Sequence, residues 1–479
     1  MISRSLMNCE RLYRWQLVVV ALVYSGCHQP QCASENGVLE VEDTELTACP
    51  TNPDVTNLTV FGSRETELSS IPSKFPALQK LNLDFTTALQ TLPDLSSLSA
   101  LRELEIRGTE LVTLPDTLTG IKLQSLAIQH NPFLESIPAL NGPIRRLSVS
   151  DNPSLSSLPD TLGQRAALTY LDLSNNALTQ LPSTITGYAL LEEMYLQGNQ
   201  LTQLPDRMDK LQHVVRLDLS DNPVQFLPDS FGQMKFLLDL KLHHMPGLQR
   251  LPRKPAWNSL ITLSILDCPR LISLPKDLSG LRDLMFLDIY TTPLQSIPPS
   301  LVSIPKLDQL NIRMNPALRK LPDEIGKAKN LRFLMVDQNA LTALPESIGD
   351  LDSLETLYAD ENEITNFPES LCQLSSLQEL SISINQIKEV CPNISEMKKL
   401  RFLNIHTNPI EALPEDMAQL SHLEDLNLWH VPLKVYPRFI NDLSRLRRLS
   451  LSNPLDYPNP QVFEQLEKDI GGHITVIRP

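Results

Sequence analysis

From residue 55 to residue 455 the apolar positions obey one rule: leucine, two residues, leucine, one residue, leucine, two residues, often asparagine, then an apolar residue and a Leu-Pro pair. The stretch Leu168, Leu171, Leu173, Asn176, Leu178, Leu181-Pro182 and Ile185 shows it whole. With the second leucine as anchor, the copies fall at Leu58, Leu81, Leu104, Leu126, Leu147, Leu171, Met194, Leu217, Leu240, Leu263, Leu287, Leu310, Leu334, Leu357, Leu380, Leu403, Leu426 and Leu449. That is 18 units, spaced 21 to 24 residues apart and mostly 23. Leu-x-Leu is the period-two signature of a short strand with one face inward. One strand per unit, all running the same way, predicts a parallel sheet about 80 Å long at about 4.8 Å per strand. The remaining leucines and isoleucines fill the interior behind it.

Two further features complete the unit. Five residues after the anchor stand Asn131, Asn152, Asn176, Asn199, Asn222, Asn315, Asn339, Asn362, Asn385 and Asn408. There the chain leaves the strand, and an inward amide, donor and acceptor at once, can satisfy backbone groups that have lost their ladder partners. Thr86, Thr109, Cys268 and Thr292 hold the same place with weaker hydrogen-bonding groups, while Met245 and Val431 have none, so their units are expected to turn differently. Leu-Pro pairs such as Leu114-Pro115, Leu204-Pro205, Leu344-Pro345 and Leu413-Pro414 account for much of the total of 38 prolines. Proline fixes φ and lacks an N–H, which suits the start of a segment outside the ladder. Short helical or 3₁₀ turns are expected after it, as at Glu346-Ser347-Ile348-Gly349.

In these copies the chain resembles the leucine-rich-repeat family over about 400 of its 479 residues. The resemblance implies an α/β fold: a curved solenoid with a parallel sheet on the concave face and short helical or 3₁₀ turns on the convex face. It also implies a non-catalytic module that binds a protein or peptide on the concave face. Residues 55–455 form the solenoid, 28–54 an N-terminal cap and 456–479 a C-terminal cap. In the last, Val462, Phe463, Leu466 and Ile470 are spaced for a short amphipathic helix from Gln461 to Ile470, before the apolar Ile474, Val476 and Ile477.

Residues 1–27 have the organisation of an export signal: Arg4, Arg11 and Arg14 precede the apolar run Leu17 to Val23, which ends in Ser25-Gly26-Cys27. The run is far short of the roughly 20 residues that cross a bilayer. Its end resembles the lipobox of bacterial lipoproteins, with Tyr24 standing where leucine is usual. That resemblance implies lipidation of Cys27 and, since His28 follows it, an outer-membrane or cell-surface address; a periplasmic or secreted protein is the alternative. Seven cysteines are too few to frame a chain of this length. Cys32 and Cys49 bracket Gly37 to Leu46 and are candidates for a disulfide closing the cap, two unpaired thiols being equally compatible. Cys372 and Cys391 lie in neighbouring units on the expected convex side, and their pairing is less favoured than that of Cys32 and Cys49.

A net charge of −15, with no basic block beyond Arg445, Arg447 and Arg448, excludes a nucleic-acid partner. Phosphate-cradling loops, Gly-x-Ser-x-Gly, His-Glu-x-x-His and paired Cys-x-x-Cys motifs are missing, so no enzyme, cofactor or metal site is expected. His406 and His430 come close through the repeat, but no carboxylate or cysteine completes a ligand set.

Side chains one before, one after and three after each anchor point out of the sheet. In the first half they are mixed and polar, including Asn82, Asp84, Glu105, Arg107 and Asp172, with Tyr170 and Tyr195 as exceptions, and read as ordinary solvated surface. From residue 286 large groups become frequent: Phe286, Tyr290, Phe333, Met335, Tyr358, Phe402 and Trp429, interleaved with Asp288, Arg313, Asp337, Asp360 and His406. Only 5% of the chain is aromatic, so this concentration reads as the anchor set of a protein or peptide interface. Cross-strand stacking of the rings is the bland alternative. Asp337 and Asp360 hold the same place on adjacent strands and are expected to be screened by solvent and salt, a basic side chain of the partner or a bound cation being the alternative.

The expected protein is therefore a monomeric binding module tethered to the cell envelope, with a ligand the sequence does not name. A cytosolic scaffold for a small GTPase, resembling leucine-rich-repeat proteins of the same unit length, is the alternative if residues 1–27 are retained. Effectors with ubiquitin-ligase activity carry a nucleophilic cysteine beyond their repeats; none follows Cys391, and that class is excluded.

Overall fold

A computed structural model describes residues 34–477, apart from 43–45, 47–48, 63–67, 86–88, 141, 161, 163–166, 436, 453–469, 471 and 473. Cys27, Cys32, Thr86 and nearly all of the expected helix from Gln461 to Ile470 lie outside the described residues.

Each unit supplies one strand of three or five residues, and successive strands pair in parallel with the anchors side by side: Leu263, Leu287, Leu310, Leu334 and Leu357 form one such row. The single sheet has 20 strands, two more than the repeats supply. Val38–Glu42 pairs with Asn57–Phe61 at one end, and Thr475–Ile477 pairs with Arg448–Ser450 at the other. Two strands outside the repeats thus continue the ladder. An uncapped solenoid end would expose core and ladder groups together; Leu39, Val41 and Ile474 close it as buried residues. Within a unit, Leu171, Leu173, Leu178 and Ile185 are fully buried. On the convex side 3₁₀ turns follow the prolines, as Glu346–Asp350 follows Pro345 at φ −70° and ψ 148°. No helix among the described residues is long and apolar enough to cross a membrane.

The asparagines do what an inward amide can do. Asn385 donates from Nδ2 to the carbonyls of Ala359, Ile382 and Ser383 at 3.0, 3.2 and 2.9 Å, and its Oδ1 accepts from the Ile364 N–H at 2.9 Å. Each such side chain ties its unit to the one before. Cys268 substitutes by donating its thiol to the Leu242 carbonyl at 3.3 Å, and burial pushes that thiol up to about 11.

The units of Met245 and Val431 do not turn differently. In nearly every unit the residue four past the anchor adopts the left-handed conformation, among them Asp151, Asn175, Gln338 and Glu361, with Gly108 and Gly198 in two others. His244 at φ 49° and His430 at φ 53° keep this turn ahead of Met245 and Val431, which are fully buried. The bend is therefore a backbone property, and the amide stabilises it without dictating it.

That conformation suits Asn, Asp and Gly and strains a β-branched side chain. Ile384 sits there at φ 50° with its side chain 41% exposed. Ile384→Asn is expected to raise stability by about 1 kcal/mol in urea unfolding; a loss would mean that the isoleucine's contacts outweigh its strain.

Cys372 and Cys391 form a disulfide between adjacent units, with Cα atoms 6.5 Å apart. Cys49 is disulfide-bonded as well.

Candidate binding face

The outward positions are where the alternation puts them: along Phe286–Tyr290, residues 286, 288 and 290 face out and Leu287 and Ile289 are buried. Register then builds the face. Phe286, Gln309 and Phe333 form one row, Asp288, Asn311, Met335, Tyr358 and Ser381 the next, and Tyr290 lies beside Arg313. Glu379, Phe402, Asp425 and Arg448 continue the first row. Phe286, Tyr290, Arg313, Phe333, Met335, Tyr358, Asp360, Phe402, His406 and Trp429 are all half-buried, whereas Asp337 is only 4% exposed.

Gln309 separates Phe286 from Phe333, and Thr356 and Glu379 separate Phe333 from Phe402, in their row. Among the described residues, ring-to-ring contacts occur at Tyr170–Tyr195, at Phe231–Trp257 and where Trp429 packs between His406 and His430, at 5.6 and 4.1 Å between centroids. Phe333 instead carries the Arg332 guanidinium 5.1 Å from its centroid. Tyr358 donates its hydroxyl to Glu379, and burial, with that bond, raises its pKa. Burial lowers the pKa of His406, the nearby His430 adding to the effect and Asp360 opposing it.

The two aspartates are not left to solvent. Asp337 pairs with Arg313, Nε to Oδ2 at 2.7 Å. Asp360 accepts from the Ser381 hydroxyl at 2.7 Å and the Ser383 N–H at 2.6 Å. The chain thus supplies its own base and donors, which the isolated positions could not reveal because Arg313 belongs to the preceding unit. Burial nevertheless dominates at Asp337 and pushes its pKa up to about 6, against the pull of Arg313 and with help from Asp360. Between about pH 4 and pH 6 the folded chain holds a proton there that the unfolded chain has released. Stability from this group therefore falls as pH rises through that window. After allowance for partial solvent screening the change is about 2 kcal/mol, and Asp337→Asn is expected to flatten it in urea titrations at pH 4.5 and 7.

Several residues of this face escaped the sequence reading. Arg332 grips Glu355 at 3.0 and 3.1 Å, Arg401 grips Glu424 at 3.1 and 3.2 Å, and Arg448 reaches Asp425 at 2.7 Å. Arg401, Glu379, Tyr358, Phe402 and Arg448 line a hollow of about 360 Å³. The signal was two Arg-then-Glu pairs two residues before neighbouring anchors, Arg332 with Glu355 and Arg401 with Glu424, separated by Gln378, which has meaning only once register is known. The first half is also less bland than expected: Arg146 stacks over Tyr170 at 4.1 Å, and Tyr170 meets Tyr195 at 5.7 Å. A larger open hollow of about 550 Å³, between Phe226, Arg250, Arg270 and Ile272, lies past the strand ends and away from this face. Among the described residues no group of three His, Cys, Asp or Glu side chains is placed to hold a metal.

Known families agree with this architecture. A leucine-rich-repeat profile matches residues 143–201 and a leucine-rich-repeat-region profile matches residues 310–401. A leucine-rich-repeat protein of Leptospira interrogans shares 25% identity over 89% of this chain and 90% of its own, with a TM-score of 0.59. A plant peptide hormone receptor, RGFR1, solved with RGF2, shares 21% identity over 82% of this chain and 64% of its own, with a TM-score of 0.53. The Drosophila Toll–Spatzle complex contains a chain 19% identical over 87% of this one and 60% of its own, with a TM-score of 0.57. The last two likenesses concern the fold alone. No curated protein sequence matches. Sheet, repeat and matches together give this chain the leucine-rich-repeat fold, with family-model matches inside the repeats.

Proposed function

We propose that this protein is a non-catalytic module that holds a protein or peptide along its concave face between Phe286 and His430, and that it is displayed from the cell envelope by a lipid on Cys27. The observation that carries the first half is the run of half-buried rings from Phe286 to Trp429, spaced among charges and mostly unpaired with one another. Rigid rings give contact area at little entropic cost, and flanking charges set register. Solved structures of like fold include a plant peptide hormone receptor in complex with RGF2 and the Toll–Spatzle complex, which supports a protein or peptide ligand here. The Cys372–Cys391 disulfide supports an oxidising compartment and so the export half.

Two experiments test the proposal. Intact mass of the chain made in a Gram-negative host should start at Cys27 with an added diacylglyceryl group; an uncleaved soluble chain starting at Met1 would contradict the envelope address and favour a cytosolic scaffold. Capture from envelope extracts should retain a partner on the wild type and on Val435→Glu, and lose it on Phe402→Glu. Equal retention by Phe402→Glu would contradict the groove.

A further inference from the structure

At the N-terminal end of the ring-bearing stretch, eight outward positions on three strands, with the buried Asp337 just past the third, form a square with Asn311 at its centre. Its neighbours in register are Asp288 on one side and Met335 on the other. Asn311 is only 9% exposed, and its Nδ2 donates to Asp288 Oδ1 at 2.6 Å. Its Oδ1 is buried and accepts no hydrogen bond from the protein. The orientation is fixed by chemistry: a carboxylate only accepts, so the amide nitrogen must face Asp288 and the oxygen must face away. Among the described residues no cation lies within salt-bridge distance of Asp288, because the nearby Arg313 is taken by Asp337. The square therefore combines an unpaired carboxylate and an orphan amide oxygen, with Phe286 and Phe333 in the next row. Met335, beside the orphan oxygen, is unbranched and changes rotamer cheaply.

A carboxylate without a counter-cation and an amide oxygen without a donor, beside aromatic faces and in a chain of net charge −15, fit one kind of guest. We propose that this square is the receptor for a basic side chain, arginine or lysine, presented by the protein or peptide partner. The proposal rests on the concave-face reading above and sharpens it. The guest's N–H groups would satisfy Asp288 and Asn311 Oδ1 together while its cation lies against Phe286 or Phe333. An acidic side chain is repelled by Asp288, and a neutral one can donate but brings no charge to it.

The test uses the full chain and a fluorescein-labelled peptide of three Gly-Arg-Ser repeats, read by fluorescence polarisation, with citrulline replacing arginine in a second peptide. Citrulline keeps the shape and removes the charge. The arginine peptide should bind at least about tenfold more tightly, and Asp288→Asn should remove most of that difference. Glu105→Gln makes the same charge change in the N-terminal part of the groove and should shift affinity less than twofold. Thermal melting of both variants checks that they fold. Equal losses in Asp288→Asn and Glu105→Gln would reduce the effect to general attraction by an acidic protein and overturn the proposal, as would equal binding of the two peptides. Either result leaves the groove standing if the envelope partner is still lost on Phe402→Glu, so failure of this inference is distinguishable from failure of the reading beneath it.

Discussion

Asn385→Ala is expected to destabilise the solenoid by about 3 kcal/mol. The side chain serves three carbonyls and one N–H that are buried behind the sheet, and each buried group left without a partner costs about 1 kcal/mol or more. The Ile364 N–H would lose its acceptor outright, while the carbonyls of Ala359, Ile382 and Ser383 keep bonds from Asn362, Asn408 and Glu361 and lose only one of two donors; one orphaned N–H and three lost bonds give the figure. Because each unit packs on its neighbours alone, the damage should be local: amide exchange should accelerate around Ile364 and Ile382 and stay unchanged around Leu171. Urea unfolding followed by circular dichroism should lose its single transition. A cost below about 1 kcal/mol would mean that the left-handed turn at Ile384 holds the bend unaided, as it does ahead of Met245 and Val431.

Phe402→Ala is expected to weaken the partner about a hundredfold, near 3 kcal/mol, in the range of truncated aromatic anchors at interface centres. Phe402 is half-buried on the groove side, whereas the core beneath it is carried by Leu403 and Ile405, which are fully buried. The melting temperature should therefore move little. Tyr170→Ala supplies the comparison, because Tyr170 is similarly placed but stacked with Arg146 and Tyr195 in the first half of the face; it should alter affinity less than twofold. Equal losses from the two substitutions would extend the interface over the whole sheet.

Much of this architecture is legible in the spacing of leucines because one strand per unit, repeated in phase, leaves a single way to bury them. The leucines at 171, 173 and 178 define inside and outside, and Asn385 declares its role by being an amide at a place where ladder partners run out. Other features were hidden for physical reasons. The left-handed turn is carried by residues as different as His244, Met314 and Ile384, so no residue type announces it. The two cap strands, Val38–Glu42 and Thr475–Ile477, lack the repeat and join the sheet by ladder bonds alone. On the face itself, sequence placed the rings but not their partners. The base that neutralises Asp337, the donors that hold Asp360 and the carboxylate that receives Tyr358 all come from neighbouring units. Contacts across units depend on rotamers, which spacing does not encode.

The most direct test of the concave-face account is a photo-cross-linking map made in cells, with benzoylphenylalanine placed singly at Phe333, Phe402, Phe236 and Val435. The first two lie on the groove; Phe236 and Val435 are 55% and 59% exposed and lie off it. The account predicts one partner adduct of the same mass from positions 333 and 402 and none from 236 or 435. Adducts from 236 or 435 with none from the groove would contradict it and place the partner on another surface.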